Sequence, residues 1–425
     1  MKRILVIGGG FAGLSAAAFL SHKKFEVILI EASPRLGGRA HSYFDNETSE
    51  EIDNGQHILM GCYEHTISFM ELIGAYKNLI VQKSLEVNLL KEGTGKVRIK
   101  ASDIIYPVNL IAAIAGYNAL SFNEKLLLIK FFIKLRYIKK DSLKDLTVSE
   151  WLNKEKQTEN LRKCFWEILA IGALNTSTEK ASAQIFYEVL KKIFLSYSDA
   201  SAIILPKFGL SRTYCQPAKE FIESNGGKVI TSDKAVGFDI HNNTLTRVET
   251  NKNVYSSFDY VVSAIPYYSL QKIYSISALN IDINFNFSSI LNIHIWLKEI
   301  PIKENFVALI NSPVHWIFNK GSHINIVISD ADYLIELSKD EIMELAVSEL
   351  HKFFGTNWED ILNYKIIKEK RATFIPSNSI QDKRPKAQSI ISNLILAGDW
   401  IDTGFPSTIE SAVKSGKDAA DIIAG

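Results

Sequence analysis

Short apolar runs recur along the chain without polar residues at alternate positions, which is typical of strands buried on both faces. Four of these runs mark predicted strands, at Ile4–Ile7, Glu26–Ile30, Asp259–Pro266 and Leu394–Trp400. The first run is followed by glycines and then by an alanine-rich segment, Leu14–Leu20, that favours a helix. This order of strand, turn and helix predicts a parallel sheet with helices on its faces.

The pattern between these runs predicts two further kinds of segment. Residues 63–200 have mainly helical spacing of apolar positions, with strands predicted at 85–99. Residues 267–386 are β-rich and contain one amphipathic helix at 338–354. We therefore predict an α/β fold in five segments: 1–62, 201–266 and 387–425 form one Rossmann-like nucleotide-binding domain, 63–200 is a mainly helical insertion facing substrate or membrane, and 267–386 belongs to an interleaved α+β substrate domain.

The turn after the first strand has the spacing of a dinucleotide-binding loop. Gly8, Gly10 and Gly13 follow the pattern G-x-G-x-x-G. The first glycine permits the tight turn, the second lets the backbone approach a pyrophosphate, and the third lets the helix pack closely on the strand. Glu31 ends the second strand, near the ~20-residue offset at which an acid binds the ribose hydroxyls. The context favours a bound dinucleotide over a coincidental glycine turn.

Two other stretches have the composition of cofactor contacts. Gly37-Gly38-Arg39 joins two glycines to an arginine, which suits a close backbone approach and a charged contact to phosphate. Gly398 and Asp399 end the last strand, and a helix begins shortly after them. A carboxylate at a strand end can bind sugar-like hydroxyls, while the free N–H groups of a helix start can face negative charge. The far end of the chain is therefore predicted to return to the cofactor.

The stretch from Asp53 to Tyr63 places polar side chains around Gly55, directly before an apolar half. A loop that lines a cofactor pocket has this composition. A plain turn leading into a buried helix explains the residues equally well.

Composition excludes several classes of function. The chain has 425 residues and a net charge of +1, which gives no electrostatic signature of nucleic-acid binding. Its three cysteines, Cys62, Cys164 and Cys215, are far apart, which favours reduced thiols in a cytoplasmic protein over disulfides or a metal site.

Lys2-Arg3 before an apolar run is also found in secretory signals, but the glycines and the strand-turn-helix order favour folded protein.

The segment 109–140 alternates apolar residues with cations and ends in Lys139-Lys140. An amphipathic helix on the inner face of an anionic cytoplasmic membrane would show this pattern. A helix packed on the domain with its basic face in solvent would show it too. No run reaches the ~18 apolar residues that a spanning helix needs.

Together, the glycine loop with Glu31, the Gly37-Gly38-Arg39 doublet and the C-terminal Ala397-Gly398-Asp399 resemble the FAD-dependent desaturase and amine-oxidase superfamily. The resemblance implies FAD as the cofactor. It further implies that Glu31 binds the adenosine ribose, that Gly38 and Arg39 lie near the pyrophosphate, and that Asp399 and Ile409 lie along the ribityl chain and flavin ring. The full set of implied cofactor contacts is Gly8, Gly10, Ala12, Gly13, Glu31, Gly37, Gly38, Arg39, Gly55, Gln56, His57, Val236 (at the adenine), Gly398, Asp399, Thr408 and Ile409.

Within that superfamily, the stretch Asp53–Tyr63, the segment Trp166–Thr176 and the motif Gly398–Gly404 resemble the hydroxysqualene dehydroxylase family. Phe405 and Ser407, on either side of Pro406, depart from the residues expected there, which leaves substrate detail open. The resemblance implies a hydrophobic isoprenoid substrate and reductive removal of its hydroxyl, with His57 and Asp53 as candidate catalytic groups near the flavin. His57 would donate a proton or position its neighbours, unless it only holds the Asp53 loop together.

Other functions stay open at this stage. A carotenoid desaturase or isomerase has a similar fold, with a desaturase moving hydride in the opposite direction. An amine oxidase would carry an aromatic cage that the sequence does not locate, and a flavin-holding lipid carrier would have no turnover. The sequence does not identify the electron donor or the oligomeric state.

Overall fold

The computed structural model describes residues 1–425. Its strands, in chain order, are β1 Arg3–Ile7, β2 Glu26–Ile30, β3 Ser42–Asp45, β4 Glu50–Asp53, β5 Leu59–Met60, β6 Leu79–Val81, β7 Glu86–Lys91, β8 Gly95–Lys100, β9 Ile203–Pro206, β10 Lys228–Ile230, β11 Ala235–His241, β12 Thr244–Thr250, β13 Val254–Tyr255, β14 Tyr260–Ser263, β15 Phe287–Leu297, β16 Phe306–Ile310, β17 Trp316–Asn319, β18 Ile324–Ser329, β19 Ile361–Phe374 and β20 Leu394–Leu396. Its α-helices are α1 Phe11–His22, α2 Glu64–Leu72, α3 Val108–Gly116, α4 Phe122–Leu135, α5 Val148–Lys154, α6 Glu159–Leu161, α7 Glu167–Leu174, α8 Ala183–Phe194, α9 Gln216–Ser224, α10 Tyr267–Ile273, α11 Lys339–Phe354, α12 Asn378–Gln381 and α13 Ile409–Ala424.

The predicted parallel sheet is confirmed. Its five strands lie in the order β10-β2-β1-β14-β20, so the N-terminal, middle and C-terminal parts of the chain meet side by side. Ile4 and Val6 of β1 pack against α1, α9 and α13. Leu5 and Ile7 pack on the other face, against the small antiparallel sheet β11-β12-β13 and α10. Both faces are therefore covered, which explains why the strand sequences are continuously apolar.

A second, seven-stranded sheet has the order β19-β15-β18-β17-β16-β7-β8. Alternate residues of β15, among them Ile293 and Ile295, pack against α11. Asn292 and His294 lie on the opposite face, which is turned toward the loop after β4. This sheet therefore has one apolar face for its own core and one partly polar face for the site.

The seven-stranded sheet takes strands from two of the segments predicted from the sequence. β7 and β8 lie within 63–200, yet β7 pairs in parallel with β16, which lies within 267–386. The strands predicted at 85–99 within this mainly helical segment thus complete the sheet of the β-rich segment. The segment boundaries stay predictions.

The helices of 108–194 pack around a separate aromatic core that includes Phe131, Trp151, Trp166 and Phe186. Between α6 and α7 the chain forms one π-helical turn at Arg162–Trp166. Such turns are rare and often lie at functional sites, because the extra residue redirects side chains from the regular helical stripe. Cys164 and Phe165 of this turn reach the central cavity.

Candidate active site

A cavity of about 930 Å³ runs between the parallel sheet and the seven-stranded sheet. One end is lined by the turn after β1, and the other by apolar side chains of β7, α7 and α8. Of the sequence-predicted site residues, the cavity is lined by Gly8, Gly10, Ala12, Glu31, Gly37, Gly38, Arg39, Gly55, Gln56, His57, Val236, Gly398, Asp399, Thr408 and Ile409. Gly13 and Asp53 do not line it.

The glycine loop is shaped for a close backbone approach. A Cβ on Gly13 would lie 1.8 Å from the Gly8 carbonyl oxygen, so a larger residue would push α1 off β1. A Cβ on Gly10 would meet nothing nearer than 3.9 Å inside the protein, because this residue faces the cavity. Gly10 caps α1 without a side-chain hydrogen bond. The first N–H groups of α1 are thus free to face an anionic group such as a pyrophosphate.

Glu31 lies at the end of β2, against the glycine loop. Its Oε2 accepts a hydrogen bond from Gly9 N at 2.6 Å, and its Oε1 accepts one from Ser33 N at 2.7 Å. These bonds hold the carboxylate at the cavity wall, on the side where Val236 also lies.

Arg39 and Asp399 join the two ends of the chain in the cavity wall. Arg39 Nη2 lies 2.5 Å from Asp399 Oδ1, and Arg39 Nη1 donates to the Ala372 carbonyl at 2.8 Å. Burial raises the pKa of Asp399, but the charge and hydrogen bond of Arg39, with the hydroxyl of Ser407, outweigh it, so the net shift is downward. The carboxylate is therefore ionised and held next to the start of α13.

Helix α13 presents its N-terminus to the same cavity. Thr408 is its N-cap and accepts a hydrogen bond from Ser411 N at 3.2 Å, while Thr408 and Ile409 line the cavity. Gly398, just before Asp399, has φ +137°, and a Cβ there would lie 2.7 Å from the Trp400 ring. The strand end and the helix start thus lie together at the cavity, where the sequence predicts a second cofactor clamp.

Arg384 supports this clamp and was missed by sequence reasoning. Its side chain is buried and donates to the main-chain carbonyls of Phe405 at 2.6 Å and Asp399 at 2.8 Å, and also to that of Ile401. Burial lowers the pKa of Arg384 to about 10, so the guanidinium keeps its charge at neutral pH. No motif surrounds this arginine, because its partners are backbone atoms that any sequence supplies.

The Asp53 side chain stabilises the loop that follows it. It is 2% exposed, and its Oδ1 accepts from Ser42 Oγ at 2.7 Å and from Leu210 N at 2.8 Å. Its Oδ2 is 3.1 Å from Lys320 Nζ, which also donates to Gln56 Oε1 at 3.0 Å. Because both carboxylate oxygens are engaged outside the cavity, the geometry supports a positioning role for Asp53 and not contact with the reacting atoms.

His57 reaches the cavity wall from the same loop. Its Nε2 is enclosed and has no hydrogen-bond partner. Burial lowers the pKa of His57 to about 4. The neutral ring thus suits hydrogen bonding or positioning, and donation of a proton by His57 stays a prediction.

The other half of the cavity is an apolar chamber. Its walls come from Leu85, which precedes β7, from β7 and β8 (Val87, Leu89, Ile99), from the π-helical turn and α7 (Phe165, Ile168, Leu169), from α8 (Val189, Ile193, Phe194) and from the other strands of the seven-stranded sheet (Ile290, Trp316, Phe318, Val327). A chamber with these walls favours a long hydrocarbon ligand.

The cavity fits FAD by three observations. The glycine cradle is open where a pyrophosphate would approach, two predicted clamps from opposite ends of the chain face one cavity, and His57 Nε2 is buried there without a partner. A dinucleotide cradle joined to an apolar chamber defines the protein as an FAD-dependent oxidoreductase.

Comparison with known proteins identifies the family. The model of the flavin containing amine oxidoreductase family matches residues 11–424. The chain belongs to this family. Among its relatives, a hydroxysqualene dehydroxylase from Zymomonas mobilis subsp. mobilis is 26% identical over 420 residues, which cover 98% of each chain. A 15-cis-phytoene desaturase from Synechococcus elongatus is 24% identical over 460 residues, covering 99% of this chain and 95% of the desaturase.

Solved structures confirm the fold. An oxidoreductase from Methanosarcina mazei superposes with a TM-score of 0.76 at 15% identity, covering 99% of this chain and 100% of the other. Putrescine oxidase with bound putrescine gives a TM-score of 0.71 at 15% identity, covering 100% of this chain and 99% of the other. At this identity the likeness concerns the fold alone.

Proposed function

We propose that this oxidoreductase removes the hydroxyl group of hydroxysqualene reductively and forms squalene, as a step in hopanoid or triterpene biosynthesis. The observation that carries the proposal is the continuity of the cavity, which joins the dinucleotide cradle to an apolar chamber. A relative that matches 98% of the chain is named for this reaction. The substrate class is thus a hydrophobic isoprenoid alcohol.

The reaction breaks an allylic C–O bond and forms a C–H bond. Reduced FAD, when bound, supplies the hydride, and the oxygen takes up one proton and leaves as water. Glu31, Arg39, Asp399 and the N-termini of α1 and α13 would hold the cofactor. The chamber excludes water, which protects a cationic carbon from the wrong nucleophile. His57 is neutral at pH 7 because burial lowers its pKa to about 4, so it would orient its neighbours or accept a hydrogen bond.

The proposal is tested by the direction of electron flow. Anaerobically reduced enzyme is mixed with hydroxysqualene, oxidised enzyme with phytoene, and the lipids of both mixtures are extracted. We expect squalene from the first mixture and unchanged phytoene from the second. Recovery of unchanged alcohol together with desaturated phytoene would contradict the proposal.

The second mixture matters because phytoene desaturases also match nearly the full chain. A desaturase would fill the same chamber but send hydride from substrate to cofactor. A flavin-holding carrier would bind lipid in both mixtures and convert neither.

We also propose that helix α4 rests on an anionic membrane surface. Its buried residues Leu128, Phe131 and Leu135 pack into the aromatic core. On the opposite side, helical spacing aligns four exposed apolar residues into one stripe: Phe122 (74%), Leu126 (50%), Ile133 (57%) and, just past the helix, Tyr137 (80%).

The surroundings of this stripe favour contact with lipid. Lys125, Lys130 and Arg136 lie beside it, as on helices that lie in the plane of an anionic interface. No helix is long and apolar enough to cross a bilayer.

The membrane proposal predicts that the protein sediments with phosphatidylglycerol vesicles. The double variant Phe122→Glu/Tyr137→Glu should weaken this binding by roughly tenfold or more, because it places charge in the apolar contact. Phe44→Glu is the matched control, since Phe44 is 63% exposed in β3, away from α4. Equal binding by all three proteins, or none by the unchanged protein, would contradict the proposal.

A further inference from the structure

One side chain of the seven-stranded sheet places an unpartnered polar group in the cavity wall. Asn292, in the middle of β15, is 2% exposed, lines the cavity, and keeps its Oδ1 buried without a hydrogen-bond partner. Burying an amide without a partner is costly unless a ligand satisfies it.

The strand holds this amide against the loop that carries His57. A Cβ built on Gly55 would lie 3.1 Å from Asn292 Nδ2, so the amide lies directly against that glycine. Two residues further along the same face, His294 Nε2 lies 3.0 Å from the Asp53 carbonyl oxygen. Strand β15 therefore contacts both ends of the turn from Asp53 to Gly55, and the amide has a fixed position.

Two neighbours of Asn292 on the sheet are apolar. Ile290 on its own strand and Val327, its register partner on β18, line the chamber. The amide thus lies where the polar loop that carries His57 meets the hydrocarbon walls of the chamber. This arrangement fixes the position and orientation of a ligand that is apolar except for one polar group.

We propose that the side-chain amide of Asn292 binds the hydroxyl group of the isoprenoid alcohol. The amide can accept a hydrogen bond from the O–H and donate one to the oxygen, so it selects an alcohol over the corresponding hydrocarbon. It would release squalene once the hydroxyl is lost, because the product leaves the amide without a partner. This inference rests on the proposed function and adds a specificity-determining residue to it.

The competing explanation is that the amide binds the flavin. The two explanations predict that removal of the amide weakens the binding of different ligands: the isoprenoid alcohol in the first case and FAD in the second. FAD affinity is measured by titration of the apoprotein, and lipid affinity by the change in flavin absorbance of the oxidised FAD-loaded enzyme with hydroxysqualene or squalene in detergent micelles.

The test compares Asn292→Leu with the unchanged enzyme. Leucine has a similar volume and no hydrogen-bonding atom. We expect the unchanged enzyme to bind hydroxysqualene roughly tenfold or more tightly than squalene, and Asn292→Leu to lose this preference while its affinities for FAD and squalene stay within about threefold. Asn292→Ala should lose the preference in the same way, and it replaces the leucine variant if that variant does not fold.

Asn325 offers a matched control. It lies on β18 opposite His294, is 1% exposed and has an unpartnered amide, yet it does not line the cavity. Asn325→Leu should keep the alcohol preference. Loss of the preference in this control would show a general effect of the sheet and would overturn the assignment to Asn292.

The remaining outcomes also decide the matter. A fall in FAD affinity with the alcohol preference retained, or a preference unchanged in both Asn292 variants, overturns the inference. If the unchanged enzyme neither prefers nor converts hydroxysqualene, the proposed function itself fails. If the unchanged enzyme converts the alcohol and both Asn292 variants keep its preference for hydroxysqualene over squalene, the proposed function stands and this inference alone is wrong.

Discussion

At the scale of single residues, the cofactor clamp near the C-terminus depends on a buried arginine that binds only backbone. Arg384 donates hydrogen bonds to the carbonyls of Asp399 and Phe405, in the turn between β20 and α13. These bonds fix the turn and so hold the Asp399 carboxylate beside Arg39. A planar guanidinium can bridge several carbonyls at once, whereas an ammonium is a point charge.

Arg384→Lys should therefore weaken FAD binding by roughly tenfold or more and destabilise the fold by about 2–4 kcal/mol, because carbonyls of the turn lose charged donors. FAD titration of the apoprotein and thermal unfolding measure the two effects. Lys383→Ala, at an exposed neighbouring position, is the control and should change neither. Normal FAD affinity in Arg384→Lys would show that the turn holds its shape without the guanidinium.

At the scale of elements, local motifs could be predicted from the sequence and long-range contacts could not. The strand-turn-helix at the N-terminus is encoded within a few residues, and Gly8, Gly10 and Glu31 line the cavity, whereas Gly13 does not. Their contacts with the cofactor stay predictions. The Asp53 carboxylate accepts hydrogen bonds from Leu210 and Lys320, which lie more than 150 positions away along the chain. The residues next to Asp53 in the sequence give no indication of these partners. The same holds for β7, whose parallel partner β16 lies in a distant segment.

Helix α2 shows another such contact. The side chain of its N-cap residue, Tyr63, makes no capping hydrogen bond. The side chain of Glu410, from the first turn of α13, caps the helix instead. The Glu410 carboxylate accepts from His65 N and Thr66 N, each at 2.9 Å, and from Thr66 Oγ1 at 2.7 Å. One buried carboxylate thus fastens two helices that border the cofactor end of the cavity.

Glu410→Ala should lower the free energy of unfolding by about 2–4 kcal/mol, since it leaves one buried N–H group, one partly buried N–H group and a hydroxyl without an acceptor. Glu410→Gln, which keeps one acceptor oxygen, should lose less. Chemical denaturation gives both values, and Glu344→Ala on the exposed side of α11 serves as the control. Equal stability of Glu410→Ala and the unchanged protein would rule out the capping role.

At the scale of the whole molecule, the polar face of the seven-stranded sheet makes stability depend on pH. His294 Nδ1 lies 2.9 Å from His323 Nε2, and His323 lies near Glu50. Burial lowers the pKa of His294 to about 3, assisted by the charge of His323. Burial also lowers the pKa of His323 to about 4, against the opposing effect of Glu50.

Because both folded-state pKa values lie below the unfolded value of about 6.5, the unfolded chain takes up protons first as the pH falls. The contribution of the neutral pair to the free energy of unfolding is complete above about pH 6.5 and should decline as the pH falls towards 4. Unfolding experiments across this range should show a smaller decline in His294→Gln/His323→Gln than in the exposed control His351→Gln. Identical pH profiles would mean that the pair is not held neutral by the fold.

The central claim is that the cradle and the chamber act as one site for reductive removal of a hydroxyl. The most direct test is a single turnover without oxygen, in which enzyme carrying a known amount of reduced FAD receives excess hydroxysqualene. Flavin reoxidation and squalene are measured over the same time course. The account predicts one squalene formed for each flavin reoxidised. Flavin that stays reduced while the alcohol is recovered unchanged would contradict it.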